Sequence, residues 1–260
     1  MLESAQLREA VEGLYETFQH YPLREWTEPC PCCHKDPGTE RQLHSKPLRE
    51  LEPKQLEEYA GDALAVWGTE DDFRHFLPRL FELVLREVED GTPLEDILLT
   101  DPHAVFLKLR WGSWKSWPAS EQEAVSRYFR QLWADVIETP PEQLPWGVYD
   151  WIEAIAQAES DISPYLSQWL DAESEWAYCN LASTITKEQI VQRDAPLPTA
   201  YWRGQMPQWH QLVDWLRSPQ VEEKIRGGLE KFTGSPAATE LAEAQHVCNE
   251  SQRNSDTSKG

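Results

Sequence analysis

Three of the five cysteines of this 260-residue chain, together with one histidine, fall in the five consecutive residues 30 to 34. Within that run, Cys30 and Cys33 have the C-x-x-C spacing that lets two thiolates hold one metal ion or form a short redox pair. A zinc ion takes four ligands in a tetrahedron, so side chains from the run or just after it have to complete the site. The predicted metal ligands, with zinc as the candidate cofactor, are Cys30, Cys32, Cys33, His34 and His44.

Two other interpretations of the cysteine run stay open. A zinc motif is usually completed by a second C-x-x-C or an H-x₃₋₅-H half, and the sequence contains neither. A redox pair is expected to open a helix inside a strand–helix unit, and the sequence predicts no such unit. The thiols could instead pack as small hydrophobic groups in a proline-shaped loop.

Other residues with the spacing of a shared site are better explained as solvated helix faces. Asp71 and His75 lie four residues apart, but off the apolar stripe of the same segment, and His210 and Asp214 repeat that spacing. The sequence contains no P-loop, no G-x-S-x-G, no H-E-x-x-H and no dinucleotide fingerprint. It therefore indicates neither a nucleotide-dependent enzyme nor a hydrolase.

The elements that position these residues are predicted to be helices. Apolar residues recur at helical spacing through most of the chain, and no alternating run of β-branched residues predicts a strand. Helix starts are marked by Pro53, by Pro118 and by Thr69, which is followed by three acidic residues at the positive end of the helix dipole. The predicted fold is all-α, built from antiparallel helix pairs.

The pairs can be arranged in two ways. Helix starts near Thr69, Pro118, Ser163 and Pro219 lie 45 to 56 residues apart, close to the ~40–47 residues of HEAT-type repeats. No internal sequence similarity accompanies the spacing, so a HEAT-like solenoid and an irregular helical bundle are both expected. We predict one helical domain over residues 1–233, with a Cys/Pro loop at 27–47, and a weakly ordered tail over 234–260.

The charge and hydropathy of the chain limit the kinds of partner and the location that can be expected. Forty-five acidic residues against 24 basic ones give a net charge of −21, which repels nucleic-acid phosphates and anionic membranes. No apolar run approaches the ~18 residues that span a bilayer, and the first nine residues do not resemble a signal peptide. The odd number of cysteines argues against a secreted disulfide framework, so the cytoplasm is the expected location.

The leading hypothesis is a non-enzymatic helical scaffold that binds another protein, in particular a basic one. Paired helices form extended concave surfaces, and an acidic charge steers a cationic partner toward them. The alternative is a metal-binding or thiol-based enzyme or sensor that uses the Cys30–Cys33 loop.

Several motifs between residues 14 and 90 occur together in one known pattern. They are Tyr21-Pro22-Leu23, the cysteine run, the segment from Tyr59 to Gly68 and the segment from Asp72 to Arg79. In this combination the chain resembles an uncharacterised bacterial protein family. The resemblance implies a bacterial protein and carries over no activity, cofactor or site residue.

Overall fold

The computed structural model describes residues 4–27, 37–86, 101–144, 146–187, 199–235 and 237–257. In these ranges the regular structure consists of thirteen α-helices and three short 3₁₀ turns, with no β-strand. The only β-type pairing there is an isolated bridge between Ala63 and Trp67. The predicted all-α fold class is therefore confirmed, whereas the choice between solenoid and bundle stays a prediction.

The chain divides into two compact units, residues 1–132 and residues 133–260, which we call unit 1 and unit 2. The helices of unit 1 are α1 (Ala5–Phe18), α2 (Pro37–Leu43), α3 (Pro53–Asp62), α4 (Glu70–Leu83), α5 (Pro102–Trp111) and the first part of α6 (Ala119–Glu138). Two 3₁₀ turns, Leu48–Glu50 and Trp114–Ser116, join them. The single domain predicted for residues 1–233 stays a prediction.

Local signals explain where the helices of unit 1 begin. The backbone N–H of Thr69 donates to Asp72 Oδ2 over 2.7 Å, and the Asp72 N–H lies 3.4 Å from Thr69 Oγ1, which together cap α4. A proline inside a helix lacks a backbone donor and therefore predicts a kink or a break. Helix α4 nevertheless runs on through Pro78 from Glu70 to Leu83. Helix α2 lies inside the segment predicted as a loop, because Pro37 can start a helix and Leu43 is fully buried.

The core of unit 1 is built from apolar stripes and aromatic rings. Helix α1 packs on α4, and α3 packs on both α2 and α5. The ring of Phe81 lies 5.2 Å from Phe106 and 4.9 Å from Tyr128, and the Tyr128 hydroxyl donates to the Phe81 carbonyl over 2.9 Å. Aromatic pairs at these distances add to the free energy that burial alone provides.

Unit 2 begins within α6 and contains the remaining helices. They are α7 (Val148–Ala158), α8 (Ser163–Asp171), α9 (Glu175–Lys187), α10 (Ala200–Arg203), α11 (Met206–Leu216), α12 (Pro219–Lys231) and α13 (Ala237–Thr257), with a 3₁₀ turn at Pro141–Gln143. At Gly228 of α12, a Cβ atom would stand 2.5 Å from the Tyr178 ring of α9. Only glycine permits so close an approach of these two helices.

Helix α13 covers most of the segment predicted as a weakly ordered tail. It packs against α9 and α12, and its buried side chains follow helical spacing. These side chains are small or slender, which is why the stripe is inconspicuous in the sequence: Ala237, Leu241, Ala244 and Cys248. Within the described ranges, no helix has the length and apolar character needed to cross a membrane.

Candidate functional site

The structure describes only one of the five predicted metal ligands. Cys30, Cys32, Cys33 and His34 lie outside the described residues, and His44 lies inside. The chain on either side of the cysteine run is described, up to Thr27 before it and from Pro37 after it. The candidate site can therefore be built from the side chains that hold these two flanks.

One buried carboxylate connects the two flanks. Glu40 of α2 is only 3% exposed, and its Oε1 accepts the backbone N–H of Thr27 over 2.7 Å. The same oxygen lies 3.1 Å from Nε2 of His44, one helical turn further on. The indole N–H of Trp67 donates to the carbonyl of Thr27 over 2.9 Å. Residue 27, three positions before the first cysteine, is thus held through both its backbone N–H and its carbonyl.

A second carboxylate holds the same flank from α4. The guanidinium of Arg24 binds Asp72 through two nitrogens, with its Nε donating to Oδ1 over 2.7 Å. Burial raises the pKa of Asp72, but the hydrogen bonds from Arg24 and Thr69 outweigh it and hold this pKa below its ordinary value. Asp72 is therefore ionised at neutral pH and serves both as the helix cap and as the partner of Arg24.

The orientation of His75 fixes the proton on its ring. Its Nδ1 lies 2.8 Å from the carbonyl oxygen of Tyr21, and a carbonyl only accepts, so Nδ1 carries the hydrogen. Burial lowers the pKa of His75, although the hydrogen bond to Tyr21 and the charge of Asp72 oppose it. The ring is therefore neutral at pH 7, and Nε2 keeps its lone pair.

Two buried hydroxyls of this region have no hydrogen-bond partner among the described residues, those of Tyr59 and Thr27. The Tyr59 ring is held by Trp67 at 5.5 Å and Phe76 at 4.5 Å, and burial raises its pKa well above the ordinary value, with a further contribution from Asp72. We refer to the following side chains as the polar cluster of unit 1: Arg24, Thr27, Glu40, His44, Tyr59, Asp72 and His75.

The polar cluster can orient a metal ligand but does not hold a metal ion alone. Among the described residues of unit 1, no three His, Cys, Asp or Glu side chains bring ligand atoms within 4.8 Å of one another. However, the contact between His44 and Glu40 is the arrangement in which a carboxylate orients a metal-binding imidazole. If Nε2 donates to Glu40, Nδ1 of His44 is left as the ligand atom.

A groove of about 530 Å³ lies elsewhere on unit 1, between α3 and α5. It is lined by Glu57, Glu58, Ala60, Gly61, Asp62, Ala104 and Val105. Beside it, Lys108 of α5 donates from Nζ to the carbonyl of Gly61 over 2.6 Å, and burial lowers the pKa of this amine to about 8. Lys108 thereby provides a hydrogen bond to a carbonyl group at the C-terminal end of α3.

Sequence reasoning missed most of these residues. Glu40 and His44 have the i, i+4 spacing of a helical pair, but the segment around them was predicted as a loop. Asp71 and His75 were predicted on one solvated face; Asp71 is exposed and pairs with Arg74, whereas His75 turns to the Tyr21 carbonyl. The i, i+4 spacing alone does not indicate that the Asp71 side chain is exposed while the His75 ring contacts the Tyr21 carbonyl.

In comparisons with protein-family models, with curated proteins and with solved structures, no significant match to this chain was found. The family resemblance noted between residues 14 and 90 therefore stays a prediction.

Proposed function

We propose that this protein is a non-enzymatic helical scaffold that binds another protein, and that its partner is basic. The observation that supports the proposal is that many basic side chains already pair with acidic side chains of the same chain. Of its 24 basic side chains, ten lie within 4.0 Å of an acidic side chain in the described ranges. They are Arg24, Arg49, Arg74, Arg79, Arg86, Arg127, Arg130, Lys224, Arg226 and Lys231.

The 45 acidic residues exceed the 24 basic ones by 21, so the chain carries this surplus of negative charge whichever side chains are paired. A net charge of this size sets up a field that raises the association rate of cationic partners and repels phosphate backbones. The same field keeps the free protein soluble, which is useful to a scaffold that waits for its partner. We place the protein in the cytoplasm of a bacterium, where thiols stay reduced.

The experiment is a capture from bacterial lysate on the immobilised protein at 50 mM and 500 mM NaCl, followed by binding measurements with the purified captured protein. We expect a partner rich in lysine and arginine whose dissociation constant rises at least tenfold with salt, because salt screens the attraction. No capture at 50 mM, or capture that salt does not change, would contradict the proposal.

A second candidate function is a zinc site, or a thiol-based sensor, at the cysteine run. The specific observation in its favour is the contact of His44 with the buried Glu40 at 3.1 Å, because a ring held in this way is prepared for metal binding. In this hypothesis Cys30 and Cys33 are ligands, and the site is completed by Cys32, His34 or His44. Bound zinc would be expected to stabilise the polar cluster, since it binds only the folded chain.

Elemental analysis of the purified protein tests this second candidate. We expect about one zinc per chain, lost in Cys30→Ser, and a zinc affinity 10- to 100-fold lower in Glu40→Gln, because the carboxylate orients the imidazole. His246→Ala is the matched control, since His246 is a solvent-exposed histidine of α13 that pairs with Glu250. Zinc-free protein whose melting temperature is unchanged by a chelator would leave only the packing interpretation.

A further inference from the structure

We infer that the side-chain amine of Lys108 is the reactive group of a separate site, where a small uncharged aldehyde or ketone enters the groove between α3 and α5 and forms an imine. The inference goes beyond the scaffold proposal, and neither depends on the other. Three observations support it: the position of the amine against the groove, the apolar floor of the groove and the chemical state of the amine.

The amine lies next to the groove. Its Nζ donates to the carbonyl of Gly61 over 2.6 Å, and Gly61 is one of the residues that line the groove. Ala104 and Val105 line it from α5 and precede Lys108 by about one helical turn, toward which a long side chain on a helix points. The Lys108 side chain is only 3% exposed. A molecule in the groove is therefore close to a nitrogen that is almost completely screened from bulk water.

The floor of the groove favours a small molecule with a hydrocarbon body. It consists of short side chains from both helices: Ala60, Gly61, Ala104 and Val105. The volume of about 530 Å³ lies in the range of ordinary small-molecule sites. The remaining residues that line the groove are acidic and repel an anionic carbonyl compound: Glu57, Glu58 and Asp62. An uncharged aldehyde of a few carbons meets both conditions.

Burial prepares the amine for reaction. It lowers the pKa of Lys108 to about 8, although the nearby charge of Asp62 favours the protonated form. About a tenth of this amine is therefore neutral at pH 7, against less than about one in a thousand for an ordinary lysine. Only the neutral amine has the lone pair that attacks a carbonyl carbon. Desolvation in an apolar pocket is one of the ways in which a lysine is activated for this attack.

The proposed step is a condensation. The lone pair of Nζ forms a C–N bond to the carbonyl carbon, and the carbonyl oxygen takes up a proton to give a carbinolamine. A C=N bond then forms as the C–O bond breaks. Nζ loses both of its hydrogens in the two stages, and they leave with the carbonyl oxygen as one molecule of water. Nothing is oxidised or reduced, so the step needs no cofactor.

The probe is butanal, and sodium cyanoborohydride traps the imine by delivering hydride to its carbon. After a short reaction at pH 7.5, peptide mapping by mass spectrometry should show at least tenfold more butyl label at Lys108 than at Lys231. Lys231 is the comparison within the same chain, because its hydrogen bond with Glu173 raises its pKa and keeps its amine charged. The rate at Lys108 should rise with pH to a plateau, with a midpoint of about 8. Lys108→Arg keeps a donor for the Gly61 carbonyl but forms no imine, and should remove this label alone.

Obstruction of the groove tests whether the aldehyde enters there. A Cβ atom at Gly61 meets no atom within 4 Å, so Gly61→Phe extends into open space and should slow the labelling of Lys108 at least tenfold. Gly61→Ala should keep most of the rate, which separates obstruction from loss of the glycine. Gly13→Phe is the matched control, since Gly13 is helical, lies in unit 1 and has equally open space at its Cβ; it should leave the rate unchanged.

Circular dichroism confirms that each variant is folded. Labelling of Lys108 no faster than that of Lys231, labelling that appears only in urea, or an unchanged rate in folded Gly61→Phe would overturn the site. None of these outcomes bears on the scaffold proposal, which salt-sensitive capture of a natural partner decides separately.

Discussion

The polar cluster of unit 1 is partly buried, since His44 is exposed while Glu40 and Asp72 are buried. In the tryptophan core of unit 2, Trp133 and Trp169 are fully buried, and different forces hold the two regions. In unit 1, ionised and polar side chains fix an extended segment, as in the pairing of Arg24 with Asp72. In unit 2, Trp169 meets the Trp133 ring edge-on at 5.3 Å and stacks on Trp215 at 5.4 Å. There the polar atoms only complete the packing: the indole N–H groups of Trp133 and Trp169 donate to backbone carbonyls.

The difference indicates that the tryptophan core mainly stabilises the fold, whereas the polar cluster mainly fixes the position of a segment. Burial of large rings is the main stabilising contribution in folding, while a buried ion pair is often no more stabilising than apolar residues of the same volume. What the polar cluster provides is geometry, since hydrogen bonds and ion pairs act only at defined distances and angles. The described chain that precedes the cysteine run is held in that way as far as Thr27.

The largest expected effect is on the free energy of unfolding when a tryptophan is removed from unit 2. Trp169→Ala deletes a fully buried ring and should destabilise unit 2 by about 3–5 kcal/mol, measured by urea unfolding. His210→Ala, at an exposed residue of α11, should change the stability by less than about 0.5 kcal/mol. The zinc content that the second candidate function predicts for unit 1 should be the same in each variant that stays folded.

The next effect concerns the ion pair between the buried Asp72 and the partly exposed Arg24. Asp72→Asn removes the charge that pairs with Arg24 and the carboxylate half of the capping box, and should destabilise unit 1 by about 2 kcal/mol at pH 7. Because the folded-state pKa of Asp72 is lowered, its contribution is present above the ordinary carboxyl pKa and is lost as the pH falls through the folded-state value. Urea midpoints between pH 7 and pH 3 should therefore fall more steeply for the unsubstituted protein than for Asp72→Asn.

Asp71→Asn is the control for that measurement, because Asp71 is an exposed neighbour on the same helix whose contact with Arg74 is a surface ion pair. Surface pairs contribute about 0–1 kcal/mol. A loss in Asp71→Asn equal to that in Asp72→Asn would show that the polar cluster owes its effect to net charge and not to its geometry.

The features that the sequence predicted correctly are those formed by residues close together in the chain. Apolar stripes such as that of α1, and the cap formed by Thr69 and Asp72, lie within a few residues of each other and have one preferred structure. The segment 110–117 contains three tryptophans at close spacing, of which Trp114 and Trp117 are buried whereas Trp111 is exposed. Which of three tryptophans turns outward depends on neighbours distant in sequence.

The candidate sites depend on such distant neighbours throughout. Arg24 meets Asp72 across 48 positions, and Thr27 meets Glu40 across 13. The groove needs small residues on α3 and α5 to face each other, and Ala104 has no signal in the sequence that pairs it with Gly61. For the cysteine run the spacing predicts which side chains could bind a metal, and only the fold shows that His44 lies against a buried carboxylate.

A smaller effect separates two buried tyrosines of unit 1. The Tyr128 hydroxyl donates to the Phe81 carbonyl over 2.9 Å, so Tyr128→Phe should destabilise the protein by about 1 kcal/mol. The Tyr59 hydroxyl has no partner among the described residues, so Tyr59→Phe should be neutral or slightly stabilising in urea unfolding. A loss of about 1 kcal/mol in both variants would show that the Tyr59 hydroxyl does have a hydrogen-bond partner in the folded protein.

The smallest expected effect is the reaction of the two cysteines of unit 2 with a thiol reagent. Cys179 and Cys248 are free and buried, and burial raises the pKa of each thiol to about 11. At pH 7.5 less than about one in a thousand of these thiols is the reactive thiolate, and the reagent has no access to it. Native protein should therefore release at most three equivalents from Ellman's reagent, and urea-unfolded protein five.

The double variant Cys179→Ala/Cys248→Ala tests whether these two cysteines are the unreactive ones. In the native state it should have as many reactive thiols as the unsubstituted protein, and in urea two fewer. A chelator then sharpens the contrast between the two cysteine regions. If the cysteine run holds zinc, the native count should rise on chelation, because thiolates bound to zinc are protected and released together with the metal. A fourth equivalent that reacts in the native state without chelator would mean that unit 2 exposes a thiol, and that its core is less closed than the packing of Trp169 requires.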